Sequence, residues 1–150
     1  GAGLFSWFAL ESIITYRLYL GDELAPEVRP TLGIQLAPPV VGATAYLAVT
    51  GGRLDWPFYA MVGYGLLQLL FLFRLSRWFL ASGATPGFWA FSFGITALGI
   101  SCMRAATFAP ASLFASIALP VFIFVNVAIA SLVLLTLGLL LRGRLFRRAG

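Results

Sequence analysis

Three ionisable residues sit inside apolar runs: Glu11 in "WFALESIITY", Arg17 six residues later, and Arg104 in "GISCMRAAT". A charge in hydrocarbon is costly, so each marks a pairing, a snorkelling side chain or an ion path. Glu11 is the one acid here placed to carry a proton at membrane depth, although its carboxylate could equally tie two helices together. Arg104 could concentrate anions near a mouth or reach to lipid headgroups. The chain has no histidine and a single cysteine, Cys102. That excludes a Ser-His-Asp triad, a His-ligated metal or haem, a Cys-only zinc site and an intrachain disulfide. No paired acidic motif points to an enzyme, and neither a metal nor a cofactor is expected.

Backbone chemistry offers a further signal. Pro38 and Pro39 stand together in the first half of an apolar stretch. Each removes an amide donor and clashes with the preceding turn, so the helix should kink and release carbonyls. In a bilayer such carbonyls must be buried in protein or hydrated by a conduit. Helical spacing puts Gln35, Gly42, Ala45 and Val49 on the same stripe as the kink. A structural kink packed against neighbouring helices accounts for these residues as well. Gln68 and Asn126 read as interhelical hydrogen-bonding groups.

The elements that position these residues follow from composition. Of 150 residues, 61% are hydrophobic and 10% charged, where a soluble domain carries about 25% charged residues. The reading is a single all-α integral membrane domain. A span needs about 20 apolar residues, and the expected spans cover about 4–20, 32–50, 57–80, 87–108 and 111–141. The last exceeds one crossing, so it should tilt, kink at Pro120 or project. Short connectors containing Gly51-Gly52, Gly83, Pro86 and Pro110 force antiparallel hairpins. Arg142, Arg144, Arg147 and Arg148 place the C-terminus in the cytoplasm. Alternation then puts Arg17, Arg29, Arg74 and Arg77 on that side too, leaving Arg53 and Arg104 opposite. The terminal arginines suit anionic headgroups rather than nucleic acid. Gly1 falls outside with no initiator Met or signal pattern, so the expectation is the C-terminal part of a longer protein.

Three runs carry a resemblance. "RPTLGIQLAPPVVGATAYLAVTGG" (Arg29 to Gly52), "VGYGLLQLLFLFRL" (Val62 to Leu75) and "FWAFSFGITALGI" (Phe88 to Ile100) resemble the tellurite-resistance/dicarboxylate transporter family, in particular its TehA-like members. The plant slow-type anion channels share that fold. The resemblance implies ten transmembrane helices in five hairpins around a quasi-five-fold axis, with inner helices lining a central pore, and a homotrimer. The five spans would be helices six to ten, the second and fourth of them inner. A missing N-terminal half would supply the rest. A bacterial inner membrane is the implied location, with small inorganic or organic anions and the lipid bilayer as partners.

The resemblance also implies an anion conduit closed near mid-membrane by a phenylalanine, which Phe93 matches best. If Phe93 faces a pore, helical spacing places Ala97, Ile100 and Arg104 near the same face, with Thr96 at its border. Phe91 points about 200° away. Gly94 would line the pore as well, and with Gly99 would allow close packing or bending. Pro38, Pro39, Gln35, Gly42 and Ala45 would line the second inner helix. A tightly packed interface without a conduit would show the same stripe. The leading expectation is a phenylalanine-gated anion channel. The alternatives are a proton-coupled carrier for dicarboxylates or tellurium oxyanions, using Glu11, and a structural subunit with no conduit of its own.

Overall fold

Prolines and glycines set the boundaries of the chain's elements. The computed structural model describes residues 1–81 and 83–143, the Tyr19 side chain excepted. Helix α1 spans Ala2–Leu20; a 3₁₀ segment, Pro26–Leu36, leads directly into α2, Ala37–Val49. Then come α3 (Trp56–Arg74), the short α4 (Ser76–Leu80), a 3₁₀ turn (Pro86–Trp89), α5 (Ala90–Phe108) and α6 (Leu113–Leu141). Pro26, Pro57 and Pro86 all stand in first turns, where a missing amide hydrogen has no partner to lose. Gly51 and Gly52, with φ of 67° and 92°, turn the chain from α2 to α3. A side chain at Gly52 would also strike the ring of Phe108.

Among the described residues there is no strand, and four stretches are long and apolar enough to cross a membrane: Pro26–Val49, Trp56–Arg74, Pro86–Phe108 and Leu113–Leu141. Helix α1, which carries Glu11 and Arg17, is not one of them. Its helix exists nonetheless and lies at the periphery against α2 and α3. Helix α5 is central, packing on α2, α6 and the long 3₁₀ segment. The main core joins Leu36, Val40 and Leu47 to Phe58, Met61 and Leu98. A smaller cluster of Phe79, Phe88 and Leu132, with Phe91 against it, closes the other end.

Two boundaries differ from the sequence expectation. The second span begins at Pro26 rather than near residue 32, and its first eleven residues are 3₁₀. Pro38 and Pro39 are therefore no mid-helix kink; they occupy the first turn of α2, where the chain changes from 3₁₀ to α geometry. The physical cause is as expected, since the proline pair cannot donate the bonds that would continue an α-helix upstream. The third span is interrupted at Leu75, so that α4 can bury Phe79 against Phe88 and Phe91. Helix α6 runs as one element through Pro120. Arg144, Arg147 and Arg148, expected to orient the C-terminus, lie outside the described residues.

Candidate functional site: the joint face of α2 and α5

Helices α2 and α5 run in the same direction, because their contacts climb together. Gly33 meets Phe91, Leu36 meets Gly94, Thr44 meets Ser101, and Gly52 meets Phe108. At 100° per residue each helix has a packed side and an open side. On α5, Gly94, Ile95, Leu98, Cys102 and Ala105 are buried. Phe93 is 62% exposed and Ile100 36% exposed, with Arg104 exposed beyond them. Thr96 is half-buried at the border, and Ala97, 7% exposed, sits where α5 meets α2. On α2, Val40, Ala43 and Leu47 are buried while Ala45 and Val49 are exposed and Pro38 and Val41 half-buried. With parallel axes and the seam at Thr44 and Ser101, the two open sides point the same way and form one surface.

Not every expected residue joins that surface. Pro39 is fully buried and faces Gly65 of α3. Gly42 faces the Met61 sulfur of α3 and Leu4 of α1. Gln35 is half-buried on the 3₁₀ segment, one residue before Leu36. Gly94, expected to line the pore, is instead buried against Leu36, and it and Gly99 are sites of close approach: an added Cβ would lie 2.7 Å from Leu36 Cβ and 2.8 Å from Val125 Cγ2 respectively. Phe91, opposite Phe93, covers Gly33 and packs with Phe79 and Phe88.

A hydroxyl pair holds the seam. Ser101 is 0% exposed, its Oγ lies 2.6 Å from Thr44 Oγ1, and it donates to the Val40 carbonyl at 2.9 Å. Thr44 Oγ1 also lies 3.0 Å from that carbonyl and 3.5 Å from the Ala97 carbonyl. Sequence reasoning missed both residues. The available signal was a hydroxyl on each of two apolar helices, flanked by small residues that allow close approach.

Glu11 lies elsewhere. Its carboxylate accepts hydrogen bonds from Trp7 Nε1 at 2.7 Å, the Tyr64 hydroxyl at 2.6 Å and Gln68 Nε2 at 3.1 Å, fastening α1 to α3. Gln68 is thus interhelical as expected, and Tyr64 is the partner that went unnoticed. Asn126 is not: exposed on α6, it donates to Phe122 O one turn back in its own helix. An open cleft of about 750 Å³ runs along α1 and α3, lined by Trp7, Phe8, Tyr16, Met61 and Tyr64. At the other end of α1, Arg29 pairs with Glu23 at 2.7 Å and stacks 4.6 Å over the Trp78 ring. Among the described residues, no three His, Cys, Asp or Glu side chains gather as a metal site.

What the arrangement offers chemically is a surface on two helices of membrane-spanning length, with the exposed Phe93 ring, small neighbours, and a cation at its far end. The profile of the voltage-dependent anion channel family (SLAC1) matches residues 1–137. A curated relative, the tellurite resistance protein TehA homolog of Haemophilus influenzae, is 38% identical over 146 residues, which is 97% of this chain and 43% of the relative. The chain thus spans less than half the length of that relative. On this evidence the chain belongs to the voltage-dependent anion channel family, whose fold is an all-helical integral membrane protein.

Proposed function

We propose that the joint face of α2 and α5 lines an anion conduit, with Phe93 as its gate. The observation that carries this reading is the Phe93 ring: it stands 62% exposed on a helix long and apolar enough to cross a membrane, at the level where the 3₁₀ segment passes into α2. A phenylalanine among small residues narrows and dewets a passage, and a side-chain rotation widens it. Pro38 and Thr96 leave room beside the ring, Ala97 lies behind them in the seam, and Ala45 and Ile100 continue the face toward Arg104. Arg104 lies roughly 16 Å along the axis from Phe93 at 1.5 Å per residue. It raises the local concentration of anions at that mouth. Among the described residues no Asp or Glu lies on this face.

Two helices do not enclose a pore, so the wall is completed by helices from a longer protein or another chain, and the assembly is a homotrimer. Arg17, Arg29, Arg74, Arg77 and Arg142 fall at helix ends that alternation brings to one side. That supports a cytoplasmic C-terminus in a bacterial inner membrane. The work of the protein is transport, not catalysis. Proton coupling through Glu11 is the weaker reading, because its carboxylate is occupied by three donors between α1 and α3, away from the α2–α5 face. The test is Phe93→Ala in the complete protein in planar bilayers: chloride conductance rises, and an unchanged current refutes the gate.

A further inference from the structure

We infer that the Thr44–Ser101 hydroxyl pair locks α2 and α5 into one rigid wall, so that the two helices do not separate during gating. This rests on the conduit reading above and goes beyond it by assigning where the motion occurs. Each hydroxyl carries one proton. One of the two protons bridges the 2.6 Å gap between the hydroxyl oxygens and the other goes to the Val40 carbonyl, which lies 2.9 Å from Ser101 Oγ and 3.0 Å from Thr44 Oγ1. In either arrangement Ser101 of α5 is bonded to Thr44 of α2, with the Val40 carbonyl of α2 within reach of both hydroxyls. Ser101 is completely buried, so neither water nor lipid can take over these bonds. Pulling α2 from α5 would break the bonds of the Ser101 hydroxyl to α2 and leave it the Ala97 carbonyl one turn back in its own helix, and separation is disfavoured by that loss.

Close packing reinforces the bond. Gly94 admits Leu36 to the α5 backbone about two turns before the pair, and Gly52 admits Phe108 beyond it. The seam is thus tight on either side of the hydroxyls. What remains free to move is on the open face, where Phe93 has most of its surface uncovered. Thr44 and Ser101 lie behind that face, as positioning residues that fix the two helices in register.

The experiment joins the seam covalently. In the complete protein carrying Cys102→Ala, the pair Thr44→Cys and Ser101→Cys is reconstituted in planar bilayers, and chloride current is recorded under reduction and after mild oxidation. Disulfide formation is read by loss of maleimide labelling in denaturant. The inference expects the bond to form and the oxidised channel to open with the same unitary conductance as the reduced one. Reversible loss of current on oxidation shows that α2 and α5 must part, and overturns it. Failure of the two sulfurs to join overturns the close seam itself. A reduced channel that stays silent even with Phe93→Ala defeats the conduit reading, and the inference with it. As a second arm, Thr44→Val with Ser101→Ala should replace the single open level by several, whereas Thr44→Ser retains one level. A single level in the hydroxyl-free channel also counts against the lock.

Discussion

Gly94→Ala is expected to loosen the α2–α5 wall next to the proposed gate. The new Cβ would stand 2.7 Å from Leu36 Cβ, 2.9 Å from its Cγ and 3.1 Å from the Ala37 amide nitrogen. To reach the 3.4 Å where ordinary contact begins, the neighbours must retreat by roughly 0.7 Å. Two of the three atoms are backbone or Cβ, which cannot swing aside as a side-chain tip can, so α5 itself must shift. Overpacking of this kind costs about 1–3 kcal/mol. At about 2–4 °C per kcal/mol for a chain of this size, the unfolding midpoint falls by roughly 2–12 °C. Gly63→Ala is the matched control, because an added Cβ on that exposed turn of α3 meets nothing within 4 Å. It should be neutral or stabilising by up to about 1 kcal/mol, as alanine is the better helix former. Thermal unfolding of the detergent-purified protein, followed by tryptophan fluorescence, compares the two. Equal midpoints for Gly94→Ala and Gly63→Ala would refute the close-approach reasoning.

Glu11→Ala leaves the Tyr64 hydroxyl and Gln68 amide without their shared acceptor. It should weaken the docking of α1 by about 1–2 kcal/mol, seen as faster proteolysis near α1, while chloride conductance is unchanged. Glu11→Gln should leave any pH-gradient dependence of transport unaltered; its disappearance would favour the carrier reading. Arg29→Lys keeps a charge near Glu23 but gives up the planar stack on Trp78 and the bond from Nε to the Leu24 carbonyl. Amide hydrogen exchange over residues 21–30 should therefore quicken, and exchange at the wild-type rate would refute the clamp.

Much of the fold was legible because hydropathy and the bilayer's length requirement act on whole segments. Four of the five expected spans recur as membrane-length apolar stretches, and α1 forms where Leu4 to Leu20 was read. The 3₁₀ segment was not legible: "PEVRPT" is polar and proline-rich, and nothing in its periodicity distinguishes 3₁₀ from an extended loop. The interruption at Leu75 was hidden for another reason, since it depends on Phe79 finding Phe88 and Phe91 across the fold. At the site, 100° spacing sufficed to separate Phe93 from Phe91, which lie on opposite sides of α5. It could not say that Pro39 and Gly42 turn toward α3, because the direction of a helix face depends on which neighbours pack against it. The same limit concealed the Thr44–Ser101 pair, whose residues are 57 positions apart in the chain.

If Phe93 is the gate, the size of the side chain at position 93 sets the passage of anions along the α2–α5 face. The most direct measurement is chloride conductance in planar bilayers for Phe93, Phe93→Leu, Phe93→Ala and Phe93→Trp in the complete protein, with Phe91→Ala alongside. Current should rise as the side chain at 93 shrinks and fall for tryptophan, while Phe91→Ala lowers thermal stability without raising current. Conductance independent of the residue at 93, or raised equally by Phe91→Ala, would contradict the account.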